Sequence, residues 1–424
     1  MFLVAAAKTT TKQLVVSRSF FSTGVEICCD LEIHDPARDS KPRKAYSLLD
    51  ENGLLRQGVK RDQLDIEKEE ALSIYDEMVS MREMDKIGYE VQRQGRISFY
   101  MTHFGEEAEI IGASYGLNSD DTLYCQYREA GLLLRRGWTF DTFFNQLYSN
   151  THDLGKGRQM PVHYGSAAAK LQTISSPLTT QLPQAAGAGY ALKQQHQASS
   201  DPDAPLSSIV ACFFGEGAAS EGDFHAGVNF AATVQSPVLF FCRNNGYAIS
   251  TPIKDQFRGD GIVSRAPGYG IKSLRVDGND ALAVRAAVKA ARQVITTEST
   301  PFLLETMSYR VGHHSTSDDS TSYRSAEEIA LWEQTNNPLS RFRKFLINEK
   351  WWSEEEDKQL ERTKRKEITQ ALKNAEKQKK PPIEQLFTDV YDQLTPNLQK
   401  QQQELFDHLE NYGDHYRLDH YEKS

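Results

Sequence analysis

Glu216 and Asn245 are the residues through which chemistry enters this chain. They stand in Gly215-Glu216-Gly217 and in Arg243-Asn244-Asn245-Gly246-Tyr247. The apolar run Ile209 to Phe214 ends at the first motif, and Val238 to Cys242 ends at the second. Each run has the length and character of a buried parallel strand. Ser220 to Thr233 lies between them and predicts a helix whose small residues can pack on a sheet. The unit is β-α-β, with a right-handed crossover. Both motifs therefore leave the carboxyl ends of parallel strands, where open α/β sheets bind ligands. Glycine there permits a sharp turn and a close approach of backbone to ligand. One carboxylate and one amide oxygen on one spot suit a hard cation such as Mg²⁺, completed by water and ligand phosphates. The competing reading is an ordinary surface turn followed by an Asn-Gly turn.

Three further stretches carry polar residues at element ends. Leu123 to Tyr127 predicts a short strand, and Tyr127-Arg128-Glu129-Ala130-Gly131 follows it. Arg128 there is either a charged fork for phosphate or one half of a structural ion pair. Residues 151–181 form a long Gly-, Ser-, Thr- and Pro-rich connection, and such loops are often functional. In it, Ser175-Ser176-Pro177 and Thr180-Gln181 offer oxygens for an alkali cation, or equally an N-cap for a helix starting near Leu178. Phe302 to Glu305 predicts a strand that opens into Tyr309-Arg310-Val311-Gly312-His313-His314-Ser315-Thr316-Ser317-Asp318-Asp319. A histidine at that edge is a candidate general acid, its ordinary pKa being ~6.5. The alternative is a polar loop whose histidines cap backbone groups. The loop has little apolar content to anchor it, so contacts to ligand and partner are expected to hold it. Ser325 with Glu328 matches a capping box.

The elements that position these residues span most of the chain. At 424 residues it has room for two or three domains at ~150 each, but one large α/β domain with extensions fits better. Residues 1–25 carry Lys8, Lys12 and Arg18, many hydroxyls and no acid, the composition of a mitochondrial transit peptide. Residues 26–65 are polar and broken by Pro36, Pro42 and Asn52-Gly53, which predicts an extended arm without a packed core. Residues 66–340 form the α/β domain, with a parallel sheet flanked by helices, and 341–424 a charged helical region. Within the domain, helices are expected over Ile66–Gln94, with core residues Ile74, Met78 and Met81. Further helices are expected over Thr102–Leu117, with Phe104, Ala108, Ile111 and Tyr115 on one face, and over Gln181–Lys193. Asp280 is a plausible cap for the helix whose apolar face is Val284, Val288, Ala291 and Ile295. Residues 194–207 predict a polar loop. A final helix after Thr395-Pro396 carries Leu398, Leu405 and Leu409, a face suited to a partner chain.

The net charge of −9 argues against a nucleic-acid surface, and no stretch is apolar enough to insert into a membrane. The five cysteines have neither metal nor disulfide spacing. Cys28 and Cys29 are adjacent, while Cys212 and Cys242 fall in predicted core strands, which suits a reducing compartment.

The motifs GEGAASEGD, CRNNGYAIST, QYREAG, DLGKGRQMPVHYG, TISSPL and YRVGHHSTSDDSTSYRS together resemble the α chains of the branched-chain 2-oxo acid dehydrogenases. These belong to the decarboxylating first component of a mitochondrial multienzyme complex. The likeness runs from about residue 45 to the carboxyl end. Related pyruvate dehydrogenase α chains have Gly-Asp-Gly and a His-Gly-His-Ser loop where this chain has Gly-Glu-Gly and Gly-His-His-Ser, which argues against that alternative. A non-catalytic regulatory paralogue is argued against by intact Glu216, Asn245 and His314.

The resemblance implies a thiamine-diphosphate-binding α/β fold and oxidative decarboxylation of the 2-oxo acids from Val, Leu and Ile in the mitochondrial matrix. It implies that Tyr127, Arg128, Ser176, Leu178, Gly215, Glu216, Gly217, Ala218, Arg243, Asn245, Tyr247 and His314 meet the cofactor or its metal. Glu216, Asn245 and Tyr247 would hold Mg²⁺. Ser175, Pro177, Thr180 and Gln181 would hold K⁺. His314 would be catalytic, and Ser315 and Ser325 would be phosphorylated by a regulatory kinase and released by a phosphatase. The implied partners are a β subunit, in an assembly of two α and two β chains, and the lipoyl domain of the acyltransferase. The chain has no obvious candidate for the glutamate that activates the cofactor, which fits an active site shared with the β chain.

Overall fold

The computed structural model describes residues 42–423. The transit-peptide segment 1–25, the beginning of the 26–65 arm and Cys28 and Cys29 lie outside the described residues. Five parallel strands make the central sheet: β1 (Thr122–Tyr124), β2 (Val210–Gly215), β3 (Val238–Asn244), β6 (Lys272–Asp277) and β7 (Phe302–Met307). Their order is β1-β2-β3-β7-β6. A short antiparallel hairpin, β4 (Tyr247–Ala248) with β5 (Thr251–Pro252), rises just past β3. Gly215 at the end of β2 pairs with Arg243 near the end of β3, so the two predicted motifs emerge side by side.

The apolar runs of β2 and β3 divide by parity, as strands buried on both faces must. Ala211, Phe213, Leu239 and Phe241 face one core. Val210, Cys212, Phe214, Val238, Phe240 and Cys242 face the other. The first core is closed by α1 (Lys68–Arg93), α2 (Glu107–Gly116), α5 (Ala281–Glu298), α7 (Pro338–Asn348) and α8 (Glu354–Glu376). The second is closed by α3 (Gln181–Gln197) and α4 (Gly222–Val234). Ile74, Met78 and Met81 of α1 are core residues, as is the Val284, Val288, Ala291, Ile295 face of α5. Cys212 and Cys242 are buried free thiols whose pKa burial pushes up. Among the described residues no helix is long and apolar enough to cross a membrane.

Several expectations shift. The helix expected from Thr102 starts at Glu107, so Phe104 is not on its face. Residues 100–106 instead run as irregular chain beneath the site. β1 stops at Tyr124, because the Glu129 carboxylate accepts the Gln126 N–H and turns the chain early. α3 continues to Gln197, which shortens the 194–207 loop. Residues 46–65 are not a bare arm: Leu48, Leu49 and Leu64 lie in the core, and Tyr46 bridges to Val276 of β6. The final helix, α9 (Pro396–Tyr412), begins where expected, is capped by Thr395 and buries no residue. Between α5 and α7 lies α6 (Ala326–Asn336), capped by Ser325.

Asp280 explains the docking of residues 46–65. Its carboxylate caps α5 through the Leu282 and Ala283 N–H groups and also accepts the Leu48 and Leu49 N–H groups. Asp280→Ala should lower stability by about 2–4 kcal/mol, one cap plus stranded buried amides. Urea unfolding measures the loss, and faster hydrogen exchange at Leu48 and Leu49 locates it.

Candidate active site

Glu216 is the first residue beyond β2. Its N–H donates to the Arg243 carbonyl at 3.1 Å. Its side chain is 2% exposed, and its Oε1 has no hydrogen-bond partner. Burial, with the Glu106 carboxylate nearby, pushes its pKa from 4.5 up to about 7. Asn245 follows β3; its Nδ2 donates to Glu106 Oε1 at 3.0 Å, and its Oδ1 accepts the Tyr247 N–H at 3.3 Å. The Tyr247 carbonyl accepts from Arg310 Nη1 at 3.3 Å. A buried acceptor without a donor costs about 1–3 kcal/mol. A cation bound to Glu216 Oε1 would remove that cost, and the neighbouring oxygens are of the hard type Mg²⁺ takes. Among the described residues there is no cluster of three or more His, Cys, Asp or Glu side chains fit for a metal. A cation here would rest on one carboxylate with amide and carbonyl oxygens. At Gly217 a Cβ would stand 2.4 Å from that of Ala248, so glycine lets the hairpin cross here.

Three buried arginines surround the spot. Arg243 donates to Glu129 Oε1 at 2.5 Å, to Glu106 Oε2, and at 3.4 Å to Gln126. Arg128 donates to the carbonyls of Thr102 and His314, and its Nε lies 3.7 Å from Glu106 Oε1. Arg310 donates to the Tyr247 and Ile249 carbonyls and, at 2.8 Å, to the Tyr323 hydroxyl. Burial alone would raise the pKa of Glu106, but Arg243, Arg128 and Arg310 outweigh it and hold the pKa below the ordinary value. Three guanidiniums thus face two paired carboxylates, which leaves a positive charge for an anion. Of the two sequence readings of Arg128, the structural ion pair is present only loosely, at 3.7 Å to Glu106.

His314 joins this group. Its Nδ1 faces Arg128 Nη2 at 3.3 Å and Arg310 Nη1 at 3.5 Å, and both are donors. Nδ1 is therefore the bare nitrogen, and the neutral ring carries its proton on Nε2. Burial, then the charges of Arg128 and Arg310, push its pKa down to about 3. The expectation of a general acid titrating near its ordinary value is corrected: at neutral pH these surroundings keep the imidazole uncharged. The Tyr127 ring meets the His314 ring edge-on at 5.8 Å.

The His/Ser loop is also better anchored than its composition suggests. Arg324 donates to the Arg310, Val311 and Gly312 carbonyls. Asp318 accepts the His314 N–H at 2.7 Å and the Tyr323 hydroxyl at 2.6 Å. Ser315 is 9% exposed. Ser325 caps α6 by accepting the Glu328 N–H, while the Glu328 side chain accepts the hydroxyls of Tyr247 and Tyr309 instead of closing a capping box.

Ser175, Ser176, Pro177, Leu178, Thr180 and Gln181 form a second group. Ser176 Oγ pairs with His163 Nε2 at 2.8 Å, while His163 Nδ1 donates to the Pro161 carbonyl at 3.0 Å. Gln181 Nε2 donates to the Phe213 carbonyl on β2 at 3.0 Å and so ties this loop to the strand that leads into Glu216. α3 starts at Gln181, and Thr180 makes no side-chain capping bond, so the capping alternative is not realised. Thr179, β-branched and buried, sits at φ +69°, a strained backbone state of the kind that gathers at ligand sites.

Sequence reasoning missed Glu106, Gln126, Glu129, Arg310 and His163 as site residues. A usable signal existed for Glu106: Gly105-Glu106-Glu107-Ala108-Glu109 opens a helix that is otherwise apolar and, in the structure, wholly buried. Acids there need partners. Gln126 and Glu129 flank Arg128 within one motif, but nothing local shows which way they turn.

The family model for the dehydrogenase E1 component matches residues 75–384. The mouse protein named 2-oxoisovalerate dehydrogenase subunit alpha, mitochondrial, is 53% identical over 356 residues, covering 84% of this chain and 78% of its own. A relative of the same name from Dictyostelium discoideum is 51% identical over 381 residues, 89% of this chain and 84% of its own. The subunit alpha 1 of that name from Arabidopsis thaliana is 50% identical over 367 residues, 87% of this chain and 75% of its own.

The raised pKa of Glu216 has a measurable sign. Its contribution to stability is full below the ordinary 4.5 and is lost as pH rises through about 7. Glutamine cannot ionise and escapes that loss. Metal-free Glu216→Gln should be more stable than wild type at pH 8 by on the order of 3 kcal/mol, with little difference below about pH 4.5. Urea unfolding at both pH values checks this.

Proposed function

This chain belongs to the dehydrogenase E1 component family, and we propose that Glu216, Asn245 and the arginine cluster are its thiamine-diphosphate site. It is the α subunit of a mitochondrial branched-chain 2-oxo acid dehydrogenase, an oxidoreductase acting on 3-methyl-2-oxobutanoate. It works with a β subunit and with the acyltransferase of its complex. The observation that carries the site assignment is the partnerless, buried Oε1 of Glu216 at the strand ends, beside an uncompensated positive charge.

The fit to the cofactor's diphosphate and its metal is good. Glu216, the Asn245 amide oxygen and the Tyr247 carbonyl would hold Mg²⁺, with Arg310 giving up its bond to that carbonyl. Arg128 and Arg310 meet mainly neutral carbonyls, so their charge is free for the diphosphate. Gly215, Gly217 and Ala218 bring backbone close; a short 3₁₀ turn at Ala218–Ser220 precedes α4 there. The Arg243 donors are occupied by Glu129, Glu106 and Gln126, so Arg243 acts chiefly through its charge. Tyr127, Ser176 and Leu178 would line the cofactor. Ser175, Pro177, Thr180 and Gln181 would bind K⁺ and stiffen the loop that carries Ser176. The cofactor, when bound, supplies the nucleophilic carbon and the electron sink for decarboxylation. His314 offers its Nε2–H to the reacting groups while Arg128 and Arg310 fix the ring from behind.

Residues 1–25 serve as transit peptide, 66–340 as the cofactor-binding domain and 341–424 as the helical region, with 46–65 packed on the domain. The assembly has two α and two β chains, and the lipoyl domain of the acyltransferase docks near His314. A kinase and a phosphatase act on Ser315 and Ser325. Ser315 is the effective switch, because a phosphate of about −1.5 to −2 charges does not fit a buried hydroxyl beside Asp318 without displacing the loop.

Co-expression with a β chain tests the function. The assembly should release CO₂ from branched 2-oxo acids in preference to pyruvate. No release from any branched substrate would overturn the reading. His314→Ala should slow acylation of the lipoyl group by about 10²- to 10⁴-fold while leaving thiamine-diphosphate affinity near wild type. Stopped-flow acylation and calorimetry separate the two. Ser315→Glu should lower acylation below a tenth of wild type and open the loop to limited proteolysis.

A further inference from the structure

The buried Asp85 carboxylate lies outside every motif discussed above, yet the irregular segment 100–106 is fastened to it. We propose that Asp85, paired with His103, is a positioning residue that sets the cofactor-binding arginines and the His314 loop together. This rests on the reading of the arginine cluster as the diphosphate site.

Asp85 sits in α1, fully buried. Its Oδ1 accepts the Tyr100 hydroxyl at 3.0 Å and His103 Nδ1 at 3.0 Å, and its Oδ2 accepts the His103 N–H. A carboxylate has acceptor sites for all three donors, and a carboxamide in its place would either turn its NH₂ toward the His103 backbone N–H or force the His103 ring into its other tautomer. One side chain of the scaffold thus holds a stretch that has neither helix nor strand bonds of its own. Arg82, one turn earlier on α1, adds a 3.3 Å ion pair to Glu107 and lies over the Phe104 ring.

The segment reaches the site on two sides. Toward the arginines, the Thr102 carbonyl accepts from Arg128. The His103 carbonyl accepts the Glu106 N–H at 2.8 Å, and the Glu106 side chain then takes Arg243 and Asn245. Toward the loop, Tyr100 and Thr316 exchange bonds at 3.2 and 3.3 Å, and the Phe104 carbonyl accepts the Val311 N–H at 2.9 Å. Gly105 sits between at φ +92°, where a Cβ would stand 2.1 Å from the Tyr309 carbonyl. The contact leaves no slack, so a shift of the segment moves Arg128, Glu106 and the loop at once. Asp85 touches neither cofactor nor substrate; it acts through this segment.

The test uses the assembled enzyme with its β chain. Thiamine-diphosphate affinity is read by calorimetry, and protease protection of the 309–324 loop is read in parallel. Asp85→Asn should raise the thiamine-diphosphate Kd about 10- to 100-fold, the range for residues that orient ligand-binding groups. It should also expose the loop, while CO₂ release at saturating cofactor stays within a few-fold of wild type. His103→Leu should do the same. His103→Asn, whose amide N–H can replace Nδ1–H toward Asp85, should bind and protect as wild type does. If Asp85→Asn fails to assemble, the two His103 variants decide. Unchanged affinity and protection in Asp85→Asn or in His103→Leu overturns the positioning role. So does a His103→Asn as impaired as His103→Leu. No thiamine-diphosphate binding by the wild-type assembly overturns the site assignment, and this role with it.

Discussion

Arg243, Arg128 and Asn245 converge on one buried carboxylate, Glu106, and the geometry of the site follows from that meeting. A charge taken out of water costs several kcal/mol unless partners repay it, and removing one partner of such a pair typically costs about 3–5 kcal/mol. The chain therefore cannot relax one tether without exposing the others. Arg243 comes from the end of β3, Arg128 from the turn after β1, and Glu106 from the irregular segment beneath them. Glu129 takes the second edge of Arg243 and also closes the turn after β1. Three separate pieces of chain are locked before any ligand arrives. Such preorganisation lets fixed dipoles and charges act on a bound anion without further rearrangement.

The same charges decide the state of the groups around them. Glu216 has no donor at Oε1 and is pushed by burial toward its acid form, whereas Glu106 is held ionised. His314 has two guanidiniums at Nδ1 and stays neutral with its proton on Nε2. A divalent cation on Glu216 and an anion among the arginines would relieve both conditions together, so on the proposed assignment metal and diphosphate would support each other's binding. The arginines that prepare the anion site are also the groups that set the tautomer of His314. On the proposed assignment, binding and proton transfer would draw on one electrostatic arrangement.

Around this rigid centre the loops are held by backbone carbonyls. Arg310 and Arg324 reach seven of their partners through main-chain or hydroxyl oxygens. A loop held by charged donors responds to a change in local charge, because added negative charge competes for the same donors. This is the physical basis for reading Ser315 as a switch, and Ser325, exposed at the start of α6, as the weaker of the two.

The amino-acid sequence by itself determined what depends on neighbours along the chain. The apolar runs of β2 and β3 fixed two buried strands, and the motifs after them fixed where a ligand meets the sheet. Asp280 and Ser325 cap helices where they were expected, because a cap is a bond to the residue's own next turn. Tertiary structure alone decided what depends on desolvation and on remote charge. Glu106 meets Arg243 across 137 residues of chain, and Arg128 meets His314 across 186. No periodicity or spacing encodes those meetings, so the pKa of Glu216, the tautomer of His314 and the place of Asp85 could be read only once the chain was folded.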